Sequence, residues 1–223
     1  MNVPLLTNKN QGHIIISNGT ADETKNTNVQ LSFSPINHLG LMANYTTYSA
    51  DTNTTAYLGE GAMGYYYSYG NKAKLVADIY AGYGTGKMHA DINASVKRFF
   101  IQPGVGLRTK HFDMAFNVRL SNVSYYNVDP NGHTYDYLVS QNIADIDKRS
   151  YAFLEPCFTL RGGFSMIKFQ IQFLGANALG NVPWRYEKGL TSAGVYVSIE
   201  DLLRVDPVRR ERRMKINNEN NDD

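Results

Sequence analysis

Two histidine–aspartate pairs are the residues whose types and spacing could support chemistry. The stretch "HADIN" holds His89 and Asp91, and "NGHTYDY" holds His133 and Asp136. A carboxylate beside an imidazole can position it as a general base that activates water for hydrolysis. Both stretches are polar, so side chains in solvated loops are the alternative interpretation. The choice depends on the elements that carry these residues.

The other nucleophilic and metal-ligating residues form no recognisable site. The single Cys157 excludes an internal disulfide framework and a cysteine metal cluster, and we expect it to be a small filler on a strand. The five histidines lack the spacing of a metal site. A lipid-modifying site needs a serine with a histidine partner, and His13, His38 and His111 lie near predicted turns or termini instead. We therefore predict no catalytic residue, no metal and no cofactor.

The elements that carry these residues are β-strands. The stretch "HFDMAFNVRL", residues 111–120, is apolar at every second position, which is the period of a strand with one apolar and one polar face. Long helical periodicity is absent before the C-terminal tail, so the chain is all-β without a second domain. The same alternation predicts about ten strands, at 12–19, 27–35, 38–49, 56–69, 72–86, 95–109, 112–127, 150–162, 165–175 and 190–199.

Composition fits a small barrel with polar loops. The chain has 223 residues, 16 tyrosines, 19 glycines and a mean hydropathy of -0.37, and no run of 18 apolar residues that could form a transmembrane helix. The polar positions inside a membrane barrel dilute its apolar band, so this hydropathy does not exclude one. A formal net charge of +2 gives no indication of nucleic-acid binding.

The connections alternate in length. Four of them are short ("INH", "YGNK", "TKH" and "RGGF"), and the others are longer ("TADETKNT", "SADTNTT", "KMHADINA", residues 129–149 and "GANALGNVPWRYEKG"). Short periplasmic turns and long extracellular loops are typical of an outer-membrane barrel. The sequence therefore predicts a closed antiparallel up-and-down transmembrane β-barrel over residues 11–200. It also predicts a periplasmic N-terminal segment, 1–10, and a charged periplasmic tail, 201–223.

The two faces of the strands favour lipid on the outside. The candidate lipid-facing positions include Phe33, Leu41, Ile79, Phe99 and Ile171, and the opposite faces carry the charged and amide side chains. A soluble barrel would have to hold the apolar set inside, which requires an enclosed lipid-like ligand, as in lipocalins. That hydrophobic-ligand carrier is the alternative interpretation of the same pattern.

The inward charges predict a network in the lumen. Opposite charges in a narrow, desolvated interior should pair, because a charge left alone there costs several kcal/mol. We expect Arg119 and Glu155 to meet and the network to plug the barrel, with a narrow path for ions or small solutes as the alternative. The predicted members are Glu60, Asp78, Arg98, Arg119, Glu155 and Arg161.

The tail carries a second charged feature, "DPVRRERRMK". Asp206 and Pro207 suit the cap and first position of a helix. The cationic cluster would contact lipid phosphates or an acidic surface on a partner, and a solvated, disordered end is the alternative. The cluster comprises Arg209, Arg210, Arg212, Arg213 and Lys215.

Several stretches carry a family resemblance: "NVPLLTNKNQGHIIISNG", "SPINHLGLMANYT", "GEGAMGYYYSYG", "IYAGYGTGK", "RFFIQPGVG" and "FLEPCFTLRGG". They resemble a group of small β-barrel outer-membrane proteins or lipoproteins of Bacteroidota, usually described as hypothetical, over residues 2–163. Members usually begin with a signal peptide that often ends in a lipobox cysteine, and the resemblance implies a sequence that starts after that processed end. It implies an envelope location and no known reaction.

These observations predict a non-enzymatic outer-membrane barrel that acts as an accessory or structural subunit of a cell-envelope complex. Its expected partners are outer-membrane lipids and another envelope protein. The alternatives are a narrow channel for ions or small solutes, an outer-membrane enzyme and a hydrophobic-ligand carrier. An omptin-type protease would need Asp and His pairs facing each other across the rim, and "HADIN" and "NGHTYDY" do not supply that arrangement.

Overall fold

The described residues form one antiparallel sheet of eleven strands. A computed structural model describes residues 1–21, 24–50, 54–184 and 186–200. The strands are β1 (Gly12–Thr20), β2 (Lys25–Ile36), β3 (Leu39–Ser49), β4 (Thr55–Tyr69), β5 (Lys74–His89), β6 (Asn93–Arg108), β7 (Phe112–Asp129), β8 (Ser150–Gly163), β9 (Ile167–Gly175), β10 (Asn177–Ala178) and β11 (Gly189–Ser198).

The sheet closes into a barrel. Consecutive strands pair from β1 to β8, β8 pairs with β9, β9 pairs with β11, and β11 returns to β1. The two-residue β10 continues the pairing of β9 with β8. Cys157 on β8 pairs with Leu174 on β9, and three residues earlier on β8, Leu154 pairs with Asn177 on β10, so the register is unbroken. Ten strands therefore form the wall, which confirms the predicted closed up-and-down barrel.

The apolar faces point outward. Phe116 and Ile79 are 48% and 49% exposed, whereas Arg119 and Gln102 on the opposite faces are 2% and 0% exposed. A water-soluble barrel has the reverse arrangement, since burial of apolar surface is what folds it. An apolar outer face with a polar interior is that of a transmembrane barrel. It is also the opposite of a carrier with an apolar lumen.

The strands are longer on one side of the barrel than on the other. β5, β6 and β7 have 16, 16 and 18 residues, and β1, β9 and β11 have 9, 9 and 10. The predicted loop "KMHADINA" is therefore mostly strand, because only residues 90–92 connect β5 to β6. The long connections at this end are residues 130–149 and 179–188.

The two long connections fold together into what we call the loop cap. It contains one short helix, α1 (Tyr135–Ser140), whose Thr134 hydroxyl accepts a hydrogen bond from Tyr137 N, at 3.4 Å. Leu138 and Ile146 are buried in it, and Trp184 packs edge-on against Tyr151 with ring centroids 4.4 Å apart. No helix in the described part of the chain is long and apolar enough to cross a membrane.

The N-terminal segment differs from its prediction. We predicted a periplasmic segment over residues 1–10; residues 1–7 are all buried, inside the lumen, and the exposed run is only residues 8–10. The strands run from Gly12 to Ser198. The charged tail, 201–223, lies outside the described residues, and with it Arg209, Arg210, Arg212, Arg213 and Lys215.

The outward face of β5 offers a test of membrane burial. Ile79→Arg places a cation near the middle of the apolar band, which should cost about 2–4 kcal/mol of insertion free energy. Folding into vesicles, followed by heat-modified gel migration, should show strongly reduced yield. Ile79→Val at the same position is the control and should insert normally. Equal yields for the two variants would contradict the outward orientation.

Candidate functional site

The N-terminal plug, residues 1–7, occupies the lumen and is held through its backbone. Gln102 Nε2 donates to Asn2 O at 2.8 Å, Arg161 Nη2 to Val3 O at 2.6 Å, and Arg108 Nη1 to Leu5 O at 2.8 Å. These side chains project inward from β6 and β8. Because a buried carbonyl without a partner is costly, such donors fix the plug at a defined position.

Asn2 ties the plug to the opposite wall. Its Nδ2 donates to the backbone carbonyls of Leu31 and Ala43, at 2.9 and 3.3 Å, and its Oδ1 accepts from Ser32 Oγ at 3.1 Å. The plug is therefore bonded to β2 and β3 on one side and to β6 and β8 on the other. It spans the lumen.

Apolar side chains of the plug fill the remaining space. Met1, Val3 and Leu5 pack in one buried cluster with inward residues of the wall, which are Val76, Ala115 and Cys157. The small sizes of Ala115 and Cys157 leave room for the plug beside them. This agrees with the predicted role of Cys157 as a small filler.

Four of the six predicted network residues come together as the lumen charge cluster, defined as Glu60, Arg98, Arg119 and Glu155. Arg119 Nη1 donates to both carboxylate oxygens of Glu60, at 3.0 and 3.1 Å. Arg98 Nη2 donates to Glu155 Oε1, and Arg98 Nη1 lies 3.6 Å from Glu60 Oε1. Two cations and two anions therefore balance in one connected group.

Neutral groups complete the cluster. Arg119 Nε donates to Gln102 Oε1 at 3.0 Å, and its guanidinium lies over the Phe100 ring at 4.0 Å. Asn44 Nδ2 donates to Glu60 Oε2 at 3.1 Å, and Ser121 Oγ donates to Glu155 Oε1 at 2.9 Å. Buried charges need this full set of partners to offset the loss of hydration.

The pairing inside the cluster differs from the prediction. Arg119 and Glu155 are register partners on β7 and β8, as their equal distance from the turn suggested, yet each forms its ion pair with a residue from another strand. Asp78 and Arg161 lie outside the cluster. Arg161 holds Val3 O and donates through Nε to Gln170 Oε1 at 2.7 Å. Asp78 Oδ1 has no hydrogen-bond partner among the described residues.

A buried ion pair outside the lumen charge cluster was missed. Lys168 Nζ lies 2.6 Å from Asp113 Oδ1 near the short turns, and both side chains are buried. The alternation of apolar and polar residues places both Asp113 and Lys168 on inward faces, so the sequence could have predicted that both lie in the lumen. Their proximity follows from the adjacent turns at 109–111 and 164–166, which bring the first residues of β7 close to those of β9.

A small cavity of about 180 Å³ remains between the plug and the loop cap. It is lined by the lumen charge cluster and by amide side chains, including Asn26, Asn28 and Asn44. At about 30 Å³ per water, this volume corresponds to about six waters. The open part of the lumen is therefore shallow and ends on the plug.

The histidine–aspartate pairs lie at the loop-cap end and have other contacts. His89 Nδ1 is 2.9 Å from Asn93 Oδ1, and the His133 ring stacks on Tyr137 with centroids 4.2 Å apart. Partial burial and the neighbouring Asp91 carboxylate raise the pKa of Tyr137. In the part of the chain that the structure describes, no three metal-ligating side chains form a group suited to a metal ion.

Comparison with solved structures finds bacterial barrels at low identity. The N-terminal β-barrel domain of OprF from Pseudomonas aeruginosa is 9% identical, with 86% of this chain and 99% of that one covered and a TM-score of 0.38. The KdgM porin is 8% identical, with 83% and 98% covered and a TM-score of 0.36. Outer membrane phospholipase A from Escherichia coli is 10% identical, with 85% and 93% covered and a TM-score of 0.35.

No protein-family model matches the sequence, and no curated protein matches it either. The resemblance to the Bacteroidota group therefore stays a prediction. The fold itself follows from the strand pairing and from the outward apolar faces described above.

The lumen charge cluster predicts a specific pattern of energetic coupling. Arg119→Met leaves Glu60 short of its main partner in a desolvated site, which should cost about 3–5 kcal/mol of unfolding free energy. Adding Glu60→Gln should restore part of that loss, whereas adding Glu155→Gln, whose ion-pair partner is Arg98, should show weaker coupling to Arg119. Urea unfolding in detergent micelles measures both double-mutant cycles. Stronger coupling of Arg119 to Glu155 than to Glu60 would contradict the observed pairing.

Proposed function

We propose that this chain is an integral outer-membrane protein that acts as a closed, non-enzymatic accessory or structural subunit of a cell-envelope complex. The observation that carries the proposal is the N-terminal plug, which is bonded to opposite walls of the lumen. The chain's own residues fill the interior of such a barrel, so a partner would bind to its outer surfaces. The short turns would face the periplasm and the loop cap would face outward, as in other barrels with this layout.

The closed lumen distinguishes this proposal from the channel alternative. Val3 and Leu6 are 0% exposed, and the plug carbonyls are bonded to arginine and glutamine side chains from the wall. An ion would have to displace these bonds or pass through the lumen charge cluster. The cavity above the plug is the part that a channel would use as its entrance.

The short-turn end carries exposed lysines, which would suit contact with an acidic partner. Lys9, Lys72 and Lys110 are exposed there, and a cleft of about 280 Å³ at this end is lined by Lys72, Lys74, Arg108 and Lys110, together with the acidic Glu200. An excess of one charge sign attracts a partner surface of the other sign and raises the rate of encounter. Along the chain, the tail with its five-residue cationic cluster follows β11, whose last residue lies at this end.

Conductance in planar bilayers tests the closed lumen. The wild-type barrel should show no steady conductance. A variant with residues 2–7 replaced by glycine and serine should conduct, because it lacks the Asn2 side chain that bonds to β2 and β3 and the apolar side chains that fill the lumen. Replacement of the exposed residues 8–10 in the same way is the matched control and should stay closed. A wild-type barrel that conducts steadily would make the channel the better proposal.

Capture from native membranes tests the partner. We expect the barrel, with an affinity tag inserted at the exposed Gly132, to retain an envelope protein after mild detergent extraction. Combined Lys9→Glu, Lys72→Glu and Lys110→Glu changes should reduce recovery of that protein at least fivefold by reversing the charge of the short-turn end. Lys87→Glu and Lys148→Glu, at the loop-cap end, are the control. Unchanged recovery with the first set would contradict the proposed contact surface.

A further inference from the structure

A groove runs across the lipid-facing wall where β8, β9, β11 and β1 lie side by side. We call it the lateral groove, and its volume is about 940 Å³. Its lower part is lined by aromatic side chains, Phe116, Phe158 and Phe173, and its upper part by Thr20, Thr191 and Lys188. It opens on the outer surface of the wall, and its floor reaches Cys157, Leu174 and Leu190, which face the lumen.

The lateral groove exists because neighbouring outward positions carry little or no side chain. Gly175 and Gly189 are register partners, and both face outward because Leu174 and Leu190 beside them face the lumen. On β8 the adjacent outward position is Pro156, whose Cγ would lie 3.2 Å from a Cβ placed on Gly175. The next outward pair towards the short turns is Phe158 on β8 and Phe173 on β9. The wall therefore steps inward just above a row of aromatic rings.

The groove lies at the upper edge of the membrane band. Gly175 is the last residue of β9, eight residues above Ile167 at the short-turn end. At ~3.3 Å per residue and a strand tilt of about 40°, this is roughly 20 Å above that end. The apolar band of such barrels is about 25 Å tall. The aromatic row therefore meets acyl chains, and the glycines lie in the upper part of the apolar band, about 5 Å below its upper edge.

Cationic and hydroxyl groups surround the upper end. Lys188 is exposed, and the exposed Lys25 is the register partner of Thr20, which in turn faces Thr191. Among the described residues that line the groove, Glu187 is the one acid, and it accepts a hydrogen bond from Thr24 Oγ1 at 2.9 Å. Lys188, Thr20 and Thr191 line this end of the groove, and Lys25 lies one strand further along the wall.

We infer that the lateral groove binds one anionic membrane lipid from the leaflet at the loop-cap end. One acyl chain lies in the groove against Phe158 and Phe173, and the phosphate lies between Lys25 and Lys188. Acyl chains have no hydrophobic preference for protein over other lipid, so selectivity has to come from shape and from the headgroup. The groove supplies the shape and the lysines supply the charge. This inference does not depend on the proposed function.

Glycine substitution gives a matched test. Gly189→Leu fills the groove without a backbone clash, because a Cβ there would have Leu174 O as its nearest neighbour, at 3.9 Å. Gly61→Leu adds the same side chain to another outward position, on β4, where nothing lies within 4 Å of a Cβ. Both variants place leucine against lipid, so both should fold. Heat-modified gel migration checks that they do.

Native mass spectrometry of the barrel in mixed phosphatidylglycerol and phosphatidylcholine micelles measures the bound lipid. We expect one retained phosphatidylglycerol on the wild type and on Gly61→Leu, and at least a fivefold loss of it on Gly189→Leu. Combined Lys25→Gln and Lys188→Gln should remove the preference for phosphatidylglycerol over phosphatidylcholine. Equal retention by the wild type and Gly189→Leu would overturn the inference. So would equal loss from both leucine variants, or a second protein copy that Gly189→Leu displaces without changing the lipid count.

Discussion

Hydrogen bonding inside a closed, narrow lumen is the constraint on which the rest of the structure depends. The outer faces of the strands contact lipid, so the charged and amide groups within the apolar band have to face inward. A lumen of ten strands has little room for water, and the groups must therefore satisfy one another. Arg119 shows the result, because its guanidinium is shared between Glu60 and Gln102 and lies over Phe100. The plug is satisfied in the same way, because its backbone carbonyls accept hydrogen bonds from Arg108 and Arg161.

The fold could be predicted because the alternation of faces is local. Each strand shows its inward and outward sets in its own sequence, and Glu60, Arg98, Arg119 and Glu155 all lie on inward faces, as predicted. The choice of partners depends on the relative heights of four strands, which no single strand encodes. A register shift that keeps the same side chains inward spans two residues, about 6.6 Å along the strand.

The plug and the loop cap were missed for different physical reasons. The plug sequence, "MNVPLLT", is short and has no strand partner, so its burial depends on space that exists only after the barrel has closed. The helix α1 has six residues, which is too short for helical periodicity to emerge from the sequence. The lateral groove is harder still to foresee, because it is made by two glycines and a proline that lie on three different strands.

The position of the plug also constrains the order of assembly. Val3 O is bonded to Arg161, 158 residues later in the chain, and Asn2 O to Gln102, 100 residues later. Contacts of such long sequence separation form slowly, because loop closure has to precede them. The plug directly precedes β1, and β1 closes the wall by pairing with β11. The plug therefore reaches its final place only once β8, which carries Arg161, is available to bind it.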